Sequence, residues 1–164
     1  MSKLVISGGS GLLGTNWAIN RRNVDSVHIL LNSRLINISG VTSHQVNLQN
    51  KLDIRKLLKT LKPDFFIHAA GMTDINSCQK YPELSKISNI NIAYNTAKIC
   101  YELGISFIHI SIKKNNVLLT KSIVQLEKIY FKISSFCKNT DCVTHSHIPT
   151  NITFYHLCYY VIKP

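Results

Sequence analysis

Apolar residues in the first two thirds of the chain follow two rhythms. KLVIS at Lys3 to Ser7, VHILLN at Val27 to Asn32 and the apolar part of DFFIHAAG are short, unbroken runs, the pattern of strands covered on both faces. Between them the spacing turns helical. Leu12 to Ile19 reads as a helix with Arg21 and Arg22 near its C-terminus, and HQVNL around Val46 predicts a third strand. Asn50 stands where an N-cap is needed before KLDIRKLLKTLK, whose Leu52, Leu57, Leu58 and Leu61 are expected to share one stripe until Pro63 stops the helix. A long helix is expected from about Glu83 to Leu103, closed by Gly104, and SFIHIS then supplies another strand. Alternation of this kind predicts an α/β fold, a parallel sheet with right-handed crossovers and helices on both faces.

Glycines mark the first strand-to-helix turn. Gly9, Gly11 and Gly14 match G-x-G-x-x-G, and Gly8, Gly11 and Gly14 match the wider G-x-x-G-x-x-G. Because the run follows a strand and opens a helix, its backbone N–H groups can face a pyrophosphate, which makes this a Rossmann-type dinucleotide site. Gly11 would let the phosphates approach, and Gly14 would let helix pack on strand. After the second strand come Asn32, Ser33 and Arg34, with no acidic residue for a ribose 2′-hydroxyl. Arg34 can instead accommodate a 2′-phosphate, so NADP(H) is favoured over NAD(H).

Charge changes this picture little. The chain of 164 residues carries a formal net charge of +11, with +6 in residues 1–111 and +5 beyond. A field spread this evenly suits anionic ligands in general. Neither a recognition-helix pattern nor an aromatic-and-basic signature points to nucleic acid. The longest late apolar run, ITFYHLCYYVI, is too short to span a bilayer, and no leader segment is visible, so no membrane and a cytoplasmic location are expected. Five unevenly spaced cysteines read as reduced thiols. No oligomeric state is implied.

ISGGSGLLG, VNL at Val46 to Leu48, PDFFIHAAGMTDINSCQKYPE at Pro63 to Glu83 and NINIAYNTAKICYELGISFIHIS at Asn89 to Ser111 occur in family order. With them the chain resembles the extended short-chain dehydrogenase/reductases, most of all the dTDP-4-dehydrorhamnose reductase group, over about residues 3–111. The resemblance implies pyrophosphate contacts from Gly8, Gly11, Leu12 and Leu13. It places Asn47 and Leu48 near adenine and puts Ala69, Ala70, Gly71 and Thr73 along the nicotinamide side. Ser7 stands where the group often has threonine. The implied reaction reduces a nucleotide-linked 4-keto-6-deoxysugar, in deoxysugar and polysaccharide biosynthesis. A relative of the same fold, the beta subunit of methionine adenosyltransferase, implies an alternative, a cofactor-binding regulatory subunit without turnover.

The resemblance also implies a serine-threonine-aspartate segment after the fifth strand and a later helical Tyr-x-x-x-Lys pair, which together move a proton at the substrate oxygen. Here Ser111 is followed by Ile112, Lys113 and Lys114. Tyr94 and Lys98 match the pair's spacing but precede SFIHIS, and Tyr159 and Lys163 follow it from far away. Ser111, Tyr159 and Lys163 are therefore weak catalytic candidates, and no convincing catalytic set is present. The family's substrate domain is expected to be absent, making the fold an incomplete, truncated one: residues 1–111 a cofactor-binding part, residues 112–164 a divergent tail. Within the tail, Ile123, Leu126, Tyr130 and Ile133 have helical spacing. Cys137, Cys142, His145, His147, His156 and Cys158 are six possible zinc ligands, but the first four are too crowded for the paired spacing of structural zinc, so no metal is expected.

Overall fold

KLVIS becomes the strand about which the sheet is ordered, because its near-continuous apolar residues can be covered from both sides. A computed structural model describes residues 1–114, 140–141, 146–148 and 155–162, and side chains through residue 110. The elements run β1 (Lys3–Ser7), α1 (Leu12–Arg21), β2 (Ser26–Leu31), β3 (Thr42–Gln45), α2 (Lys51–Leu61), β4 (Phe65–His68), α3 (Ile75–Lys80) and α4 (Pro82–Lys86). A π-helical turn (Ile87–Asn91), α5 (Ile92–Glu102), β5 (Ser106–Lys114), β6 (Thr140–Asp141), β7 (Ser146–Ile148) and β8 (Tyr155–Ile162) follow.

Strand order is β3-β2-β1-β4-β5-β8-β6, with β7 also on β8. The first five strands are parallel, in the register Val5 to His28 and to Phe66, and Phe66 to Phe107. The chain first builds outward from β1 to β3 and then crosses to β4 on the other side, so the order reverses at β1. This is the Rossmann-type arrangement the alternating pattern predicts. β8 runs antiparallel to β5.

Two apolar layers cover the sheet. Val5, Leu30, Phe66 and Phe107 meet Ile54 and Leu58 of α2 and Ala97 and Cys100 of α5. Leu4, Ile6, Ile29, Leu31 and Ile67 meet Ala18 of α1 on the opposite face. Burying one such aliphatic side chain contributes roughly 1.5–3 kcal/mol, so these layers outweigh any single polar contact in holding helices to sheet.

The α2 boundaries follow their local chemistry. Asn50 Oδ1 accepts from the N–H groups of Leu52 at 3.1 Å and Asp53 at 3.4 Å, and Lys62 ends the helix at φ 48° just before Pro63. The expected stripe needs one correction: Leu52 is 76% exposed, while Ile54 and Leu58 are buried and Leu57 and Leu61 pack beside them. At about 100° per residue, Leu52 points roughly 160° away from Ile54. The third strand ends at Gln45, one residue short of Val46, and the expected long helix is divided into α4, the π turn and α5. Gly104, at φ 70°, closes α5.

Two histidines are buried among these layers. His68 and His109 stack with ring centroids 5.3 Å apart, next to the stacked pair Phe66 and Phe107. Burial lowers the pKa of His109 to about 4, and burial followed by the charge of His109 holds His68 well below the usual imidazole range. Both rings are neutral in the fold, whereas the unfolded chain takes up protons near pH 6.5. Stability is therefore full above that pH and falls as pH drops toward 4. For His109 alone the loss is on the order of 3 kcal/mol once pH reaches the folded value. Urea unfolding between pH 7 and 5, above most carboxylate titration, is expected to show this decline, and His109→Phe, which keeps an aromatic ring in the stack, is expected to make it shallower, with buried His68 supplying what remains.

Candidate functional site

Where β1 ends, the chain turns in a space too small for side chains. Gly8 has φ 72°, and a Cβ there would stand 2.7 Å from the carbonyl carbon and oxygen of Ala69 and 2.8 Å from the nitrogen of Ala70. A Cβ on Gly14 would collide with the Gly8 carbonyl oxygen and stand 2.9 Å from its carbon. Close approach therefore fixes both residues as glycine: α1 packs on its own entry turn, and that turn packs on the end of β4. Hydrogen bonds hold the loop, from Gly11 N to Gly8 O at 2.9 Å and from Thr15 Oγ1 to Gly9 O at 2.8 Å. Beneath it, the Ser7 hydroxyl and His68 Nδ1 lie 2.8 Å apart and tie β1 to β4.

Gly11 differs from its neighbours. Its backbone is extended, at φ −82° and ψ 160°, and a Cβ there would meet only the Gly8 oxygen, at 3.2 Å. A Cβ there would be tight against that one oxygen, and no other heavy atom outside the adjoining backbone lies within 4 Å of it, so the position is open away from Gly8. No side chain caps α1 and its first turn has no acidic residue. Its first backbone N–H groups, including those of Leu12 and Leu13, have no acceptor within the helix and form its positive end. Leu12 is 85% exposed. The arrangement fits a pyrophosphate, which would fill the space over Gly11 and accept from these groups.

Flanking segments line either side of this cradle. On the β2–β3 side, Gln45 Nε2 donates to Asn32 O at 3.3 Å and Val46 N to Leu31 O at 2.8 Å, which joins the two strand ends. Arg34 is exposed beyond β2. Asn47 accepts from Gln49 N at 3.0 Å through its side chain, while Leu48 packs on the core beneath. On the β4 side, Ala69 and Ala70 are half-buried and Gly71 and Thr73 exposed. The structure thus gathers Gly8, Gly11, Leu12, Leu13 and Gly14 with Ala69 and Ala70 where the strand order reverses, the usual place for a ligand in such sheets.

Asn89, in the π turn, escapes the sequence reading. Its Oδ1 accepts from Met72 N at 2.6 Å, and its Nδ2 donates to Met72 O at 3.0 Å and to Ser85 Oγ at 3.3 Å. Cys78 Sγ also donates to Met72 O, at 3.4 Å. One amide thereby replaces a strand partner for the loop after β4. An asparagine inside an apolar helical run was the available signal, since it competes with helical backbone bonds. The short helix α3 was missed too, although Asp74 caps it by accepting from Ser77 N at 2.7 Å.

The weak catalytic candidates are arranged otherwise. Ser111 lies opposite Cys158, Ile112 opposite Leu157 and Tyr159 opposite Ile110. Since β8 is antiparallel, it runs from the cradle end of the sheet toward the far end, reaching Phe107 at Ile162. Tyr159 to Ile162 is extended and spans roughly 10 Å, where a helix would return the fourth residue to the same side. Lys163 lies outside the described residues, as do Cys137, Cys142, His145 and the expected helix of Ile123, Leu126, Tyr130 and Ile133. His147 lies opposite His156. Tyr94 packs on the core from α5, and Lys98 is exposed. Among the described residues no helix is long and apolar enough to cross a membrane, and no three metal-ligating side chains gather.

Comparison with known proteins agrees with this arrangement. The profile of the RmlD substrate binding domain family matches residues 2–114. The spore coat polysaccharide biosynthesis protein SpsK of Bacillus subtilis (strain 168) is 24% identical over 111 residues, covering 68% of this chain and 36% of that protein. GDP-6-deoxy-D-talose 4-dehydrogenase of Aggregatibacter actinomycetemcomitans is 29% identical over 72 residues, covering 43% and 21%. The chain thus spans about a third or less of the length of these relatives. A Thermus thermophilus UDP-glucose 4-epimerase in complex with NAD has the same fold over 63% of this chain and 35% of its own, with TM-score 0.58 and 20% identity.

Replacing Asn89 with Leu removes both bonds to Met72 and is expected to cost about 1–3 kcal/mol. Hydrogen exchange at the Met72 amide is expected to accelerate at least tenfold, with β1 protected as before; unchanged exchange at Met72 would refute the clamp.

Proposed function

The chain belongs to the RmlD substrate binding domain family, and from that footing we propose that it binds NAD(P) without carrying out hydride transfer by itself. The open space over Gly11, at the uncapped end of α1, is the observation that carries the reading. Leu12 and Leu13 would hold the pyrophosphate through backbone N–H groups, Gly8 and Gly11 would let it come against the main chain, with the Gly11 N–H kept on Gly8 O, and Gly14 keeps α1 close enough to aim the free groups. Asn47 and Leu48 would flank adenine, and Ala69, Ala70, Gly71 and Thr73 would line the nicotinamide side. Arg34, exposed beyond β2, would take a 2′-phosphate, so NADP(H) is preferred; the NAD held by the Thermus thermophilus epimerase makes NAD(H) the competitor. The cofactor, when bound, supplies the hydride.

Kinship supports a nucleotide-linked 4-keto-6-deoxysugar as the substrate class, in deoxysugar and polysaccharide biosynthesis. The names of the two curated relatives point the same way. What favours binding without turnover is the path of β5. It continues through Ile112 to Lys114 as paired strand, with Ile112 where the resemblance implies a hydroxyl, and isoleucine cannot bond a substrate oxygen. Under this reading the chain is either the cofactor part of a reductase or a cofactor-binding regulatory subunit.

Thermal unfolding with added NADPH or NADH tests the binding. NADPH is expected to raise the transition more than NADH, with about 2.7 kcal/mol of stabilisation at a hundredfold excess over Kd. Arg34→Leu is expected to erase the preference. Gly11→Ala should melt within about 1 kcal/mol of the original chain yet lose the response, whereas Gly14→Ala should melt well below it because backbone must move. No response to either cofactor would end the binding proposal. Oxidation of NADPH by this chain with a dTDP-linked 4-keto-6-deoxysugar would end the claim that it does not turn over alone.

A further inference from the structure

A second cluster of nitrogen donors lies on the edge of the sheet. His28 of β2 and His44 of β3 face each other diagonally across the pair, with His28 Nδ1 and His44 Nε2 2.9 Å apart and ring planes inclined by 27°. Both side chains are half-buried, so water reaches them. Ser26 Oγ stands 3.4 Å from the remaining nitrogen of His28. We propose that His28 and His44 are the two protein ligands of a site for a divalent transition-metal ion that takes nitrogen donors at right angles, Cu2+ or Ni2+.

The two nitrogens are held together by a hydrogen bond, and their separation is compatible with one class of ion. With metal–nitrogen bonds of about 2.0–2.1 Å, a right angle at the metal places the nitrogens about 2.9 Å apart, and a tetrahedral angle about 3.4 Å. The observed 2.9 Å suits the square or octahedral ions and suits tetrahedral Zn2+ less well. Among the described residues no third histidine, cysteine or carboxylate joins the pair, so water fills the other positions. Lys3 lies close enough for its charge to act on His28. The hydrogen shared by the facing nitrogens moves to the other nitrogen of its own ring when the ion enters. For His28 that nitrogen is Nε2, where Ser26 Oγ can accept it and fix the ligating tautomer. Lys3, whose ammonium donates to Leu61 O at 2.7 Å, is the charge that opposes the ion.

Calorimetric titration of the full chain with Ni2+ in a non-chelating buffer tests the site. Affinity is expected to fall at least tenfold in both His28→Gln and His44→Gln and to rise in Lys3→Gln. Absence of Ni2+ binding, or binding unchanged in His44→Gln, overturns the proposal and, in the second case, places the ion elsewhere. Should either glutamine variant unfold, Cu2+ added to the original chain gives the same decision through NMR. Selective broadening of the His28 and His44 ring signals among the seven histidines supports the site, and broadening confined to other histidines overturns it.

Discussion

Backbone meets backbone where β1 ends, and the remaining geometry of the site depends on that contact. Gly8 lies against the carbonyl of Ala69, and Gly14 lies against Gly8, so entry turn, first helix and β4 share a space that a methyl group would disrupt. Dispersion forces at such short range are individually weak, but the contact fixes position sharply because any added atom overlaps main chain. It also sets direction. With α1 seated on its own entry turn, the helix points its uncapped positive end over the gap between β1 and β4, where the sheet order reverses.

The two sides of the gap are secured by opposite means. On the glycine side, side chains are absent and main-chain groups are left to face a ligand. On the β4 side one side chain supplies what a neighbouring strand would: Asn89 satisfies both N–H and C=O of Met72. The π turn that carries Asn89 interrupts the regular α-helical repeat, an irregularity that often accompanies functional sites. Below, Ser7 and His68 join β1 to β4, and the stack with His109 extends the polar layer to β5. Neutral imidazoles there avoid the cost of a buried charge, which explains why the base of the site is both polar and tightly packed.

At the far edge, β3 has only four residues and a largely exposed surface. Its attachment to β2 rests on the parallel ladder, the bond from Val46 to Leu31 and the contact between His28 and His44. These contacts set the position of Asn47 and Leu48, since both follow β3 directly.

Much of this order was legible in sequence because it is local. Unbroken apolar runs gave the parallel strands, Asn50 and Pro63 marked the limits of α2, and glycine spacing located the entry turn. Leu52 misled because leucine identity was weighed above its angle on the helix, and Asn89 was missed because its partner, Met72, is 17 residues away. Likewise, the sequence shows a Tyr-x-x-x-Lys spacing at Tyr159, yet strand or helix determines whether the fourth residue returns to the same side. What the sequence by itself determined is the alternation of the main strands and helices through β5, their order and the glycine turn, all governed by periodicity and backbone freedom within a few residues. Which groups meet was decided only by tertiary structure: Ser7 with His68, Asn89 with Met72, His28 with His44 and Ser111 with Cys158. Those pairings depend on strand order and register, and they arise only when distant segments are packed against one another.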